Sequence, residues 1–383
     1  MSLKKILDSK PLYYKKIDYN RMPKAYDSIK AKLNLPKIIH IVGTNGKGST
    51  GRFLAHMLYK AGFKVGHYTS PHIIKFNERI WINGKDIDDK SLEIFNEKLL
   101  KILPKEFVED LSYFEYTTLL AAISFEGVDF AIMEAGLGGE FDATNVFEKR
   151  LSLITTIGLD HQAFLGDSIK KIALTKIRSI QKDAILGHQK YKSIKKIAMD
   201  IAKSKNCNLY LVDDLLNKDE KYKIKNFIVK KNYPIFFENN FSLAYSAKKI
   251  LEIDLDINSC NDLEIFGRFQ KIAKNIIIDV GHNPLAAKAL FKSLKKDTVL
   301  IYNAYKDKDY KEVLKILKPK IKRVEIIDID DDRVVDKDEL KEVLKSLKID
   351  FKEFKGLKSG EQYFVFGSFR VVEKFLKGGF SAS

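Results

Sequence analysis

Residues 38–50 read Ile-Ile-His-Ile-Val-Gly-Thr-Asn-Gly-Lys-Gly-Ser-Thr, an apolar run that ends in a glycine-rich turn. Hydrophobic residues then recur at Phe53, Leu54, Met57 and Leu58, the spacing of one buried helix face. Strand, glycine turn, helix is the layout of a phosphate cradle. Glycines let backbone N–H groups approach an anion closely, and the helix N-terminus adds favourable partial charge. Lys47 is placed to reach the outer phosphates of a nucleoside triphosphate. A tight strand-to-helix turn would need neither the lysine nor the hydroxyls. The loop departs from the common G-x-x-x-x-G-K-[ST], because the spacing is G-x-x-G-K and Gly48 stands where a metal-binding hydroxyl usually follows the lysine. A magnesium ion accompanying the nucleotide therefore needs ligands from elsewhere in the chain.

The alternation of short apolar runs with helical periodicity continues along the 383 residues. Residues 1–36 are polar and helical in pattern, punctuated by Pro23 and Pro36. Strands are expected at 63–68, 79–82, 129–133, 151–157, 184–186 and 208–212, and helices at 87–103, 113–125, 168–180, 194–202 and 241–251. Residues 221–237 read as a strand hairpin. No clear period runs through 252–266, so the boundary is placed there, giving domains 1–262 and 263–383. In the second, strands at 276–280, 298–302, 323–327 and 363–366 alternate with helices at 284–294, 310–317, 337–347 and 369–376. The expected fold class is α/β: an N-terminal P-loop-type ATPase domain with a mostly parallel sheet, then a smaller C-terminal Rossmann-like α/β domain. Residues 378–383 read as a frayed tail.

Composition narrows the function classes. The net charge is +17, but the lysines are scattered through every segment and form no arginine–aromatic module. No nucleic-acid partner is expected; a diffuse positive field still favours anionic small molecules. No apolar run has the length of a membrane span, and the first residues lack the pattern of a secretory signal. Cys207 and Cys260 have no metal-ligand spacing. A cytoplasmic protein without membrane contact is expected.

Lys47, Ser70, Glu134 and His161 each follow closely on an apolar strand. Ligands of open parallel sheets bind outside the carboxyl ends of the strands, so these four should meet at one edge. Glu134 is a hard oxygen donor suited to magnesium, or else a solvated strand-end carboxylate. His161 and Ser70, taken singly, are more often structural. Lys176 lies among Ile169, Ile172, Ala173, Ile177 and Ile180 on one helix face, where an ammonium must snorkel, be neutralised or be used. The glycine-rich run 136–145 reads as a binding loop.

The segments HIVGTNGKGST, YTSPH with NERI after it, YFEYTTL, EAGLGGEFDATN, TIGLDHQAFLG, ALTKIRSI, GRFQ, IIDVGHNPLAA and VFGSF, taken in order, resemble the folylpolyglutamate synthase/dihydrofolate synthase family, relatives of the Mur amide ligases. The resemblance implies that ATP is held by Asn45, Gly46, Lys47, Gly48 and Ser49, with Asn240, Arg268 and Asp279. It implies magnesium ligation by Ser70, Glu134 and His161, and a carbamate on Lys176; Lys47, His161 and Lys176 would form the catalytic group. Ser112, Tyr113, Phe114 and Glu115, with Phe141, Asp142 and Ala143, match substrate-side positions. The implied reaction joins L-glutamate to dihydropteroate or (tetrahydro)folate through an acyl phosphate, in a monomer. Glu140 stands where the family often has arginine, which puts contacts to an anionic substrate in question. Two other readings remain: a Mur-type ligase acting on a nucleotide-sugar acid, and a non-enzymatic, nucleotide-regulated basic binding protein.

Overall fold

The computed structural model describes residues 1–11 and 18–379. Residues 12–17 of the expected N-terminal helical segment and 380–383 of the expected tail lie outside the described residues. The chain divides into two compact units. One comprises Met1–Ile224 with Asn239–Asp262, and the other Lys225–Glu238 with Leu263–Ser383. Both are mixed α/β with a largely parallel sheet.

The first unit is built on eight strands: β1 (Lys37–Val42), β2 (Val65–Tyr68), β3 (Ile80–Ile82), β4 (Lys85–Asp86), β5 (Phe130–Glu134), β6 (Leu151–Ile154), β7 (Asp183–Leu186) and β8 (Asn208–Leu211). Their order is β4-β3-β2-β5-β1-β6-β7-β8. All pair in parallel except β3 and β4, which form the antiparallel edge. From Ile38 onward β1 is buried on both faces, as helices packed on both sides of a parallel sheet require. The left-handed Asn83 and Gly84 form the turn between β3 and β4. The chain leaves β1 through helix Lys47–Lys60 to reach β2 on one side, whereas β5 leads to β6 on the other. Connections that diverge in this way leave a crevice at the carboxyl edge. The register sets Ile41 beside both Glu134 and Leu153, so the ends of β1, β5 and β6 lie level.

The second unit carries β9 (Gln270–Ala273), β10 (Ile276–Ile278), β11 (Thr298–Tyr302), β12 (Ile321–Ile326), β13 (Phe351–Glu353) and β14 (Tyr363–Phe366), in the order β13-β12-β11-β14-β10-β9. Only β9 pairs antiparallel. Side chains cap its helices. Asn283 accepts from Ala286 N, Asp309 from Glu312 N, Asp336 from Asp338 N and Ser368 from Val371 N. Ala287, Leu290, Val313, Leu314, Leu340 and Leu344 then close the core on β11, β12 and β14. Strands β9 and β13 were not anticipated. Both are short edge strands whose residues are half-buried or exposed, so neither forms an apolar run.

The strand hairpin expected over 221–237 is a correction. The chain is helical over Lys218–Lys230 and again from Phe236 to Leu251. Ile224, Phe227 and Ile228 are buried at i, i+3 and i+4, while Tyr222 and Val229 are exposed. Asn217 and Glu220 start the first helix reciprocally: Asn217 Oδ1 accepts from Glu220 N, and Asn217 N donates to Glu220 Oε2.

Candidate active site

The cradle is shaped by two glycines. Gly43 leaves β1 with φ 151°, and Gly46 precedes helix Lys47–Lys60 with φ 91°. A Cβ at Gly46 would lie 2.4 Å from Asn240 Oδ1, so the position needs glycine for space as well as for conformation. Asn240 is buried and donates through Nδ2 to Ser49 Oγ at 2.8 Å. Phe241 packs edge-on against Phe53 at 5.0 Å, which fixes the two helices together. On the other side, Thr44 is bound to the chain beyond β6. Its Oγ1 accepts from Gly158 N and donates to Gly158 O, both at 3.0 Å, while its N–H donates to Thr156 O at 2.9 Å. The N–H groups of the first helical turn, from Lys47 to Ser49, have no acceptor within the helix and converge at this end.

Three charged side chains gather under the turn. Lys47 Nζ lies 3.9 Å from Glu134 Oε1, 3.4 Å from Gly43 O and 3.5 Å from Thr44 O. Glu134 is 3% exposed at the end of β5, and its other oxygen accepts from the hydroxyl of Thr69, the residue before Ser70. Lys176 is 4% exposed and donates from Nζ to Gly43 O at 2.8 Å. Burial, reinforced by the nearby charge of Lys47, brings its amine down to about 7. Ser70 is half-buried just beyond β2. His161 is exposed in the loop after β6, with left-handed backbone at φ 50°, ahead of helix Gln162–Leu165. Among the described residues no group of three or more His, Cys, Asp or Glu side chains is placed to hold a metal. Ser70, Glu134 and His161 contribute only two such groups plus a hydroxyl. A carboxylate and a hydroxyl are oxygen ligands of the kind that magnesium takes alongside waters and phosphate oxygens.

The substrate-side positions divide into two kinds. Ser112 and Glu115 form a capping box: Ser112 Oγ accepts from Glu115 N at 3.2 Å, and Ser112 N donates to Glu115 Oε2 at 2.8 Å. Arg21 pairs with the same carboxylate at 2.7 Å. Asp142 is buried and accepts from Leu137 N, Thr144 N and Thr144 Oγ1, so its carboxylate shapes the 136–145 loop. Burial pushes its pKa up, and these donors oppose the shift. Ala143 is buried beside it. Rings form the other kind. Tyr113 lies under the Arg79 guanidinium at 5.2 Å, Phe114 packs on Tyr68, and Phe141 is 55% exposed against Tyr19 at 4.4 Å.

Arg268 and Asp279 belong to the second unit. Asp279 is buried and accepts from Phe269 N at 2.8 Å and Gly281 N at 2.7 Å. Burial raises its pKa, against the pull of Arg268. The Arg268 guanidinium lies over the Phe369 ring at 5.1 Å.

Residues 267–369 match the family model of the Mur ligase glutamate ligase domain. A dihydrofolate synthase/folylpolyglutamate synthase of Haemophilus influenzae is 31% identical, the alignment covering 87% of this chain and 85% of the relative. The chain belongs to the dihydrofolate synthase/folylpolyglutamate synthase family. The crystal structure of Helicobacter pylori folylpolyglutamate synthetase, 37% identical, superposes with a TM-score of 0.80 over 98% of this chain and 97% of that one. Escherichia coli FolC in complex with DHPP and ADP, 25% identical, gives 0.81 over 99% and 97%.

Within this synthase family, Glu140 is the departure noted in the sequence. Its carboxylate faces Arg178 at 3.4 Å, and its N–H donates to Thr175 O at 2.8 Å. The acidic charge is thus met by a neighbouring arginine. Sequence reasoning did not single out Thr69, whose hydroxyl orients Glu134, or Thr44, which ties the cradle to β6. Both stand beside residues that it did single out, and a short hydroxyl side chain carries no pattern of its own.

Proposed function

We propose that this chain joins L-glutamate to dihydropteroate or to a (tetrahydro)folate, using ATP and releasing ADP and phosphate. The observation that carries this reading is the gathering of Lys47, Glu134 and Lys176 beneath the glycine turn, in a chain of this family. The barrier is electrostatic, because an anionic carboxylate must approach an anionic triphosphate. The N–H groups from Lys47 to Ser49 and the Lys47 ammonium stabilise the transferring phosphoryl group. The γ-phosphoryl passes to the substrate carboxylate. The glutamate amine then attacks the acyl phosphate, and phosphate leaves with one former carboxylate oxygen. Asn240 borders the cradle, and the family resemblance assigns Arg268 and Asp279 to ATP as well. Ser70, Glu134 and His161 would hold magnesium, which when bound screens the phosphate charge.

Lys176 is assigned as a carbamate. Its amine, brought down to about 7, has the neutral fraction that attack on carbon dioxide requires, and the product carries a negative charge toward Lys47. Tyr113, Phe114 and Phe141 offer aromatic surface to a pterin ring. Ser112, Glu115, Asp142 and Ala143 act chiefly through the backbone that they hold. ATP binding falls to residues 1–262 and the glutamate-ligase part to 263–383. The protein is taken to act as a cytoplasmic monomer, which sedimentation of the purified chain tests. Phosphate release with dihydropteroate and with tetrahydrofolate, each with and without glutamate, tests the activity. Release that needs glutamate and one of the two substrates supports it, and release indifferent to both refutes it.

A further inference from the structure

Lys149 is fully buried at the entry to β6, 0% exposed. A buried ammonium is unfavourable unless its donors are satisfied. Its three hydrogen-bond acceptors lie at the end of the glycine-rich loop and just beyond it: Asn145 O at 3.1 Å, Asn145 Oδ1 at 2.9 Å and Phe147 O at 3.2 Å. An ammonium only donates, so it fixes the orientation of the Asn145 amide. Oδ1 must face Lys149. Nδ2 is therefore directed away and donates to Glu140 O at 2.7 Å, one residue before Phe141. From the other side, Thr144 Oγ1 donates to Asp142 Oδ1 at 2.6 Å and so accepts from His40 Nε2 at 2.8 Å. His40 lies on β1, the strand that leads into the cradle. Burial, with the charge of Lys149 nearby, keeps its imidazole neutral. The segment 140–145 is thus held at its end by Lys149 acting through Asn145 and by β1 acting through Thr144, and the Asn145 amide ties that end back to its start at Glu140.

We propose that Lys149 is a positioning residue for the substrate-side loop, holding Phe141–Ala143 in place through Asn145 and the Glu140 carbonyl. This rests on the assignment of Phe141–Ala143 to the pteroate or folate side. The alternative is a core lysine that merely satisfies its own charge.

Two variants separate these. Lys149→Met keeps the unbranched apolar stem and removes the charged amine. Asn145→Asp keeps an oxygen for Lys149 but removes the donor to Glu140 O. Both are compared with wild type by amide hydrogen exchange and by steady-state kinetics with dihydropteroate and tetrahydrofolate. The expected result is faster exchange at Leu137, Glu140, Asp142 and Thr144, with exchange in helix Lys47–Lys60 unchanged. The KM for the pteroate or folate substrate should rise about tenfold or more, as misplacement of a binding loop implies. The KM for ATP should stay within about twofold of wild type, since the cradle is not displaced. Unchanged loop exchange overturns the proposal, as does an equal rise in both KM values. If Lys149→Met does not fold, Asn145→Asp decides on the same readouts. If wild type turns over neither substrate, the functional reading fails, and the exchange experiment still decides the role of Lys149.

Discussion

Lys47 and Lys176 direct their ammonium groups at one carbonyl oxygen, that of Gly43, from 3.4 and 2.8 Å. Two cations on one acceptor in a buried setting disfavour the charged form of the more buried partner, which is Lys176.

That relationship has a pH signature. The folded-state pKa of Lys176 is lowered to about 7 from its ordinary value of 10.5. Between those values the unfolded chain binds more protons at this site, so this group's contribution to stability rises with pH and is least favourable below about 7. Lys149 and Lys10, also lowered, act in the same direction. With carbon dioxide and bicarbonate removed, so that Lys176 carries a free amine, the difference in Tm between wild type and Lys176→Met should therefore shift in favour of wild type from pH 7 to pH 9. A pH-independent difference would remove Lys176 as the source.

Lys47→Ala should lower turnover by about a thousandfold or more, as loss of a charge on the transferring phosphoryl group implies. The side chain is partly exposed, so Tm should move little. Single-turnover phosphate release and a thermal melt check both halves.

Gly46→Ala forces a side chain into left-handed backbone and against Asn240, at a strain of about 1–3 kcal/mol. Nucleotide affinity, measured by calorimetric titration, should fall about tenfold or more.

Glu134→Gln keeps the shape and removes the charge beside Lys47 and Thr69. The magnesium concentration for half-maximal activity should rise about tenfold or more, as loss of a hard anionic ligand implies. An unchanged magnesium titration would place the metal elsewhere.

Glu140→Ala should change stability by less than about 1 kcal/mol, because its partner Arg178 is half exposed and such pairs contribute little. A charge-reversed pair, Glu140→Arg with Arg178→Glu, should melt like wild type.

What was legible in the sequence follows from how each feature is encoded. Strand β1 and the turn after it are contiguous, so apolar run, glycines and lysine all fall in one window. Lys176 stood out because a helix has a fixed period, and a cation on its apolar stripe breaks that pattern. The helix Lys218–Lys230 was misread because Tyr222 and Ile224 mimic a two-residue alternation and Phe227–Val229 is a short apolar run of the kind a buried strand shows. The reciprocal cap at Asn217 and Glu220 was the signal that could have corrected it. Ser112 and Glu115 carry the S-x-x-E spacing of a capping box and could have been read as one, whereas the loop-holding role of Asp142 depends on where backbone N–H groups point, which residue identity does not state. Lys149 was invisible for the same reason: its acceptors are mostly carbonyl oxygens.

The reaction course is the central claim, and one isotope experiment reaches it most directly. A pteroate or folate substrate carrying 18O in its reactive carboxylate is incubated with the chain, ATP, magnesium and L-glutamate, and the released phosphate is examined by mass spectrometry. Transfer of one 18O atom into the phosphate is the result expected for an acyl phosphate. Amide product accompanied by unlabelled phosphate would contradict it.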